Sequence, residues 1–405
     1  MHPFQCANIL LPKIPAMDNW AVIACDQFVS QPEYWQRVRK QVGESPSTLH
    51  LILPETDLEE DCSAAIASIN ETMRRYINEG LFREYAQCFL YVERTLLNGS
   101  VRKGVVGCVD LEQYDFSPQS QSVIRATEET VADRVPPRMD IRRGATLELP
   151  HVLVLCDDQQ QRLLESLTAK KQELPLLYDF ELMAGGGRIR GWLVDGKNQA
   201  EFSAQLQSYE DRMTAQYGPG AVLYAVGDGN HSLAAAKGCY EELKALGKPC
   251  EAARYALVEL ENIHDQAQIF EPIHRIIKDC DPQALLDALQ QALGKREGVS
   301  VGWHIGAEHG SFCVSPEEGV LPVGLVQDFI DSYLEIHRGT VDYIHGQDAV
   351  QQLAEVPNTL GLILPAVDKK SFFQSIIAGG TLPRKTFSMG HAQEKRYYLE
   401  ARRIG

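Results

Sequence analysis

No two cysteines in the chain are spaced C-x-x-C, and no H-E-x-x-H occurs. These absences remove the common zinc-binding signatures. Long apolar runs are missing too. Val152–Cys156 and Leu360–Leu364 fall far short of the ~20 residues that a membrane-spanning helix requires, and they read as buried strands. The first residues, Met1-His2-Pro3-Phe4-Gln5-Cys6, show no charged segment leading into an apolar one, so no secretory signal is expected and the expected location is cytoplasmic. Basic charge is in deficit, with 39 Lys and Arg against 55 Asp and Glu and a formal net charge of −16. Such a molecule repels phosphate backbones, which argues against nucleic-acid partners while leaving room for a local basic patch around a small anion.

What is present is a folded protein. Of the residues, 44% are hydrophobic and 23% charged, and 405 residues are too many for one ordinary core. The ten cysteines sit mostly in apolar segments such as Ala24-Cys25 and Leu155-Cys156, the environment of buried free thiols. Strands are expected at Ala21–Cys25, Leu49–Pro54, Val152–Cys156, Ala221–Val226 and 360–364. Phe89–Arg94 and Lys103–Asp110 should form a hairpin turning at Asn98-Gly99.

Helices are expected where apolar residues recur at helical spacing. Ile66, Ile69, Met73 and Ile77 mark one helix, stopped by Gly80, and Phe202, Leu206, Tyr209, Met213 and Tyr217 mark another, broken at Gly218. Ser30-Gln31-Pro32-Glu33 has a capping-box pattern, and Asp281-Pro282 leads a helix carrying Leu285, Leu286, Leu289 and Leu293. Alternating helices and strands predict an α/β fold with a mixed sheet and flanking helices, in two domains or subdomains, 1–265 and 266–405.

The sharpest chemical feature is Val226-Gly227-Asp228-Gly229-Asn230-His231-Ser232, where a buried strand gives way to a helix. Glycines allow close approach of the backbone to a ligand, and the N–H groups opening a helix form an anion site. Asp228 is a candidate catalytic base or Mg²⁺ ligand and His231 a candidate proton shuttle. Gly227, Gly229, Asn230 and Ser232 are candidate phosphate contacts. The plainer alternative is an ordinary turn capped by Asp228 or Asn230. Asp26 ends an apolar strand, where site residues of open sheets gather. Arg125, Glu128 and Glu129 form a charged set in which one glutamate could be a general base or metal ligand; the plainer alternative is a surface ion pair of Arg125 with Glu129 at helical i,i+4 spacing. Arg134, Arg138, Arg142 and Arg143 make one basic island, and Arg384, Lys385, Lys395, Arg396, Arg402 and Arg403 another.

The junction is similar to the Asp-Gly-His-His-Arg loop of the bacterial and archaeal domain-of-unknown-function 1015 family. Ala21–Phe28 with Pro32–Trp35, Ile124–Thr130, Pro272-Ile273-His274-Arg275, Val341–Gly346 and Leu382-Pro383-Arg384-Lys385 resemble the same family, in order, over nearly the whole chain. The resemblance adds His274, Arg275, Arg384 and Lys385 to the candidates. More distantly, the loop resembles the phosphate-contacting loop of ParB/sulfiredoxin-like nucleotide-binding proteins, which include free-serine kinases. The resemblance implies a ParB/sulfiredoxin-like fold around the loop and a nucleotide or other phosphorylated small molecule as ligand. Mg²⁺ with ATP or ADP would be the cofactor of a small-molecule kinase. Asn230 stands where the family pattern has His and Ser232 where it has Arg, which removes one phosphate-binding cation. A non-catalytic metabolite-binding or regulatory protein and a metal-dependent hydrolase are the alternatives.

Overall fold

The computed structural model describes residues 2–405 apart from Pro249, Glu318 and Arg384. The protein is mixed α/β. Its residues divide into two compact units, one of Met1–Ala126, Thr130–Gln268 and His391–Gly405, the other of Thr127–Glu129 and Ile269–Gly390. The second is thus an insertion into the sequence of the first.

The first unit is built on an eleven-stranded sheet. Its main path runs Leu176–Glu181, Arg188–Val194, Phe82–Thr95, Val101–Asp110, Tyr255–Asn262, Leu153–Cys156, Tyr224–Asp228, Ile124–Ala126 and Tyr114–Asp115. The two longest strands are the hairpin that Asn98-Gly99 announces, with Gly99 supplying a φ of 83° at the turn. Tyr224–Asp228 lies antiparallel to Leu153–Cys156 and parallel to Ile124–Ala126, so the junction strand is flanked on both edges. Helix Gly196–Tyr217 buries Phe202, Leu206, Tyr209 and Met213 along one face, as their spacing requires. Phe202 meets Phe89 of the sheet edge to face, with ring centroids 5.1 Å apart. Each such side chain contributes roughly 1.5–3 kcal/mol by leaving water.

Residues 391–405 close this unit. Tyr397–Tyr398 pairs with Val22–Ile23, and Arg402–Arg403 pairs with Leu147–Glu148. Trp20, fully buried, donates its indole N–H to Leu399 O at 2.7 Å. The ten thiols are all free.

The second unit is an antiparallel seven-stranded sheet with its main path Gly294–Lys295, Glu308–Val314, Val299–Ile305, Leu360–Ile363, Phe270–Lys278 and Thr340–His345. Helix Pro282–Leu293 begins where Asp281 accepts the Ala284 N–H at 3.0 Å, and it buries Leu285, Leu286 and Leu289. Among the described residues no helix is long and apolar enough to cross a membrane.

Three local expectations fail for identifiable reasons. Leu49–Pro54 is not a strand: Ser47 caps a short 3₁₀ turn over Thr48–Leu51 by accepting the Leu49 N–H at 3.2 Å. Ser30 does not cap the following helix, since Gln31 holds that position without a side-chain bond and Pro32 opens Pro32–Val42. Arg125 is not helical but lies in the strand Ile124–Ala126, where strand pairing with Tyr224–Asp228 overrides the i,i+4 charge pattern.

Candidate functional site

At the junction the buried strand residues Tyr224, Ala225 and Val226 fix the sheet end, and Gly229 reverses the chain into helix Asn230–Ala245. Gly229 has a φ of 81°, and a Cβ there would stand 3.0 Å from Val152 Cγ2 and 3.1 Å from Val152 Cα. Only glycine meets both demands. Gly229, and neither Asp228 nor Asn230, therefore holds the helix cap, and no side chain closes that end. Ser232 N–H and Leu233 N–H both donate to Gly229 O, so helix geometry points the N–H groups of Asn230 and His231 out of the helix end. Asn230 Oδ1 is buried with no hydrogen-bond partner among the described residues.

Asp228 divides its carboxylate. Oδ1 accepts the Gly229 N–H at 3.0 Å, and Oδ2 faces Lys395 Nζ at 3.2 Å. Lys395 is held in place from the sheet. Arg94 donates to the carbonyls of Gln393 at 2.6 Å, Glu394 at 3.0 Å and Lys395 at 2.6 Å, and Arg102 donates to Glu394 O at 3.0 Å. Burial and the neighbouring Arg102 pull the Arg94 guanidinium down to a pKa of about 9. A cation is thereby restored beside a loop whose last residue is Ser232 instead of arginine.

A hydrogen-bonded chain runs beside the loop. Ser232 Oγ lies 3.2 Å from His151 Nε2, and His151 Nδ1 lies 2.8 Å from the Tyr398 hydroxyl. Tyr398 donates to Cys25 Sγ at 3.1 Å. The ring thus links the serine hydroxyl to the tyrosine hydroxyl, one of its nitrogens donating and the other accepting. Burial lowers the His151 pKa more than Asp26 and Asp228 raise it, so the ring is neutral at pH 7. Cys25 is pushed up to about 11 by burial and by Asp26, so it is a thiol and not a thiolate. For Asp26 burial would raise the pKa, but His151, the Gln27 amide, Lys395 and Arg138 together hold it below the ordinary carboxylate value. His231 Nε2 accepts the Val131 N–H at 3.2 Å, which commits that nitrogen to the protein.

Of the candidates drawn from sequence, Asp26, Gly227, Asp228, Gly229, Asn230, His231 and Ser232 gather here within the first unit. Arg125, also in the first unit, is bound to Ser122 O and Gly220 O, both at 2.8 Å. Glu128, Glu129, His274, Arg275 and Lys385 belong to the second unit. There Glu128 bridges to Leu382. Arg275, fully buried, donates to Gln327 Oε1 at 2.6 Å, Ile273 O at 2.7 Å and Lys385 O at 3.1 Å, and lies over the Tyr343 ring. His274 Nδ1 accepts the Leu364 N–H at 3.1 Å, and burial with Arg275 lowers its pKa to about 4. Arg384 lies outside the described residues. In the first basic island Arg138 pairs with Glu55, Arg142 with Glu148 at 2.6 Å, and Arg143 with Asp140 and with Glu242 at 2.8 Å.

Sequence reasoning did not single out His151 or Tyr398, and it saw Lys395 only as one charge of an island. No spacing links these residues to the loop; Pro150-His151 before a buried strand was the one local hint. Among the described residues no three His, Cys, Asp or Glu side chains converge on a metal position.

No curated protein matches the chain. Among solved structures, the chain is similar to SbnI with C-terminal truncation from Staphylococcus aureus, with 12% identity, 70% of this chain and 82% of that one covered, and a TM-score of 0.37. It is similar to a free serine kinase in complex with AMP, at 11% identity over 72% of this chain and 90% of that one, with a TM-score of 0.37. A conserved hypothetical protein from Pyrococcus furiosus matches at 12% identity, 72% and 90% coverage and a TM-score of 0.33. Likeness this loose assigns no residue a role. The model of the family described as "Protein of unknown function (DUF1015)" matches residues 3–403, and the chain belongs to that family.

Proposed function

We propose that the first unit binds the phosphate groups of a nucleotide, or of another phosphorylated small molecule, at the junction 227–232. The observation that carries this is Lys395 beside Asp228, 3.2 Å apart, at the open N-terminal end of the sixteen-residue helix Asn230–Ala245. A helix end concentrates partial positive charge, the glycines on either side of Asp228 let a phosphate reach the backbone, and the ammonium supplies a full charge. Phosphate oxygens would take the Asn230 and His231 N–H groups and draw on Lys395. Asp228, relieved of part of its ion pair, would bind the Mg²⁺ of an ATP or ADP complex or receive a proton from an acceptor hydroxyl. Phosphoryl transfer asks a protein mainly to position groups and neutralise charge, which these residues are suited to do.

Calorimetry of the full chain with ATP, ADP and CTP, each with and without Mg²⁺, tests the binding. A saturable heat with at least one of them is expected; none with any of the three would end it. A non-catalytic binding protein is favoured by one observation: Ser232, in place of the family's arginine, is engaged with His151 and not directed to an anion. Ligand-dependent thermal stabilisation without transfer of phosphate to any acceptor would decide for that second function. The protein is proposed to act in the cytoplasm on a small molecule, without nucleic acid.

A further inference from the structure

Directly beside Ser232 and His151 the first unit holds a half-open cavity of about 140 Å³. Its walls are apolar, with Leu53, Met73, Leu147, Leu233 and Leu257 among them, and its width comes from Ala235 and Ala236, two small side chains on successive positions of the junction helix. Polar groups line it as well: the Ser232 and Tyr398 hydroxyls, the His151 ring, the Cys25 thiol, and the charged side chains Arg138, Arg142 and Glu148. Arg138 is already paired with Glu55 and bound to Arg134 O, and Arg142 is paired with Glu148, so no unbalanced cation invites an anion into the space. The ring nitrogen facing it is His151 Nε2, since Tyr398 holds the opposite one.

We propose that this cavity is a subsite for a small apolar alcohol, with a body of about six carbons in the cavity and its hydroxyl on Ser232 and His151. An apolar cavity of roughly 150 Å³ takes a molecule the size of benzene, which sets the dimension of the body. The alcohol hydroxyl, donor and acceptor at once, meets the Ser232 hydroxyl and His151 Nε2 together, so no buried polar atom is stranded. A polar acceptor such as serine or glycerol would leave its own polar groups against leucine and methionine, and is disfavoured for that reason. The subsite rests on the phosphate reading of the junction only in making the alcohol an acceptor; its occupancy does not depend on a nucleotide.

The test is the binding of straight-chain alcohols from 1-propanol to 1-octanol, and of benzyl alcohol, serine and glycerol, to the full chain without nucleotide. Ligand-observed NMR reads the affinities. Affinity should rise about threefold to fourfold per methylene up to about six carbons and then level off, with benzyl alcohol near hexanol and no binding of serine or glycerol. Ala236→Leu should weaken hexanol at least tenfold while leaving the heat of ATP binding unchanged. An affinity that does not depend on chain length, or serine binding as tightly as hexanol, overturns the proposal; these measurements on the unaltered chain stand even where Ala236→Leu does not fold. Alcohol binding without any nucleotide binding would sink the phosphate site and keep the subsite. The reverse result would sink the subsite alone.

Discussion

The Ser232 hydroxyl stands 3.2 Å from His151 Nε2, joining the first turn of the junction helix to the residue that precedes a neighbouring strand. The imidazole is neutral because it is buried, and so is His274 in the second unit, whose pKa falls to about 4. Both bind a proton more readily in the unfolded chain, where the value is about 6.5. Their stabilisation is therefore complete above pH 6.5 and is lost as the pH falls below it, down through the folded-state values. His274 alone accounts for up to roughly 3 kcal/mol between pH 6.5 and 4. Urea unfolding at pH 7.5, 6 and 5 should show this slope, and His274→Gln should flatten it. An unchanged slope in that variant would mean that the ring is already protonated in the folded state.

Lys395→Met should weaken ATP or ADP binding at least tenfold, and Lys395→Arg should restore most of it. Because the pair with Asp228 is only partly buried, the stability change is expected to stay near 1 kcal/mol. Calorimetry at two salt concentrations checks the point. A phosphate site that uses the ammonium loses affinity with salt, and Lys395→Met should lose that dependence as well.

Gly229→Ala combines a left-handed backbone with a Cβ at 3.0 Å from Val152. Destabilisation of about 1–3 kcal/mol is expected in urea unfolding, together with weaker ligand binding as the helix end shifts. A loss under about 0.5 kcal/mol would show that the turn can relax, and that its shape does not set the site.

Arg94→Met leaves the carbonyls of Gln393, Glu394 and Lys395 without their shared donor. A loss of about 2–4 kcal/mol is expected. The informative readout is nucleotide affinity measured in the folded fraction, which should fall in Arg94→Met while Arg190→Met, on the next strand and paired with Glu93, leaves it intact. Equal affinities in the two variants would mean that Lys395 does not need Arg94 to hold it.

Much of the fold is legible in the sequence where one physical rule dominates. Apolar periodicity marks the helices around Phe202 and Leu285, and Asn98-Gly99 marks the long hairpin. Local hydrogen bonding defeats propensity at Ser47-Thr48, and strand pairing defeats charge spacing at Arg125. For the candidate site, the loop itself is legible because glycine and helix-capping chemistry are local. His151, Tyr398 and Lys395 are not, because they reach the loop through sheet pairing and through guanidinium bonds to carbonyls far along the chain, contacts that leave no periodic trace. The same holds for the cavity, since Ala235 and Ala236 look in sequence like ordinary helix formers.

Residues 391–405 bring Lys395, Tyr398 and the strand partner of Val22–Ile23 to a unit whose other residues end at Gln268. On the ribosome those fifteen residues emerge only after the whole inserted unit has been made. The nascent first unit must therefore wait with Trp20 and the edges at Val22–Ile23 and Leu147–Glu148 uncovered, a long interval in which hydrophobic surface is open to chaperones. Order of synthesis thus brings Lys395 to the junction only after the inserted unit, and a nonsense codon anywhere between the junction and Lys395 would remove that ammonium while leaving 227–232 intact.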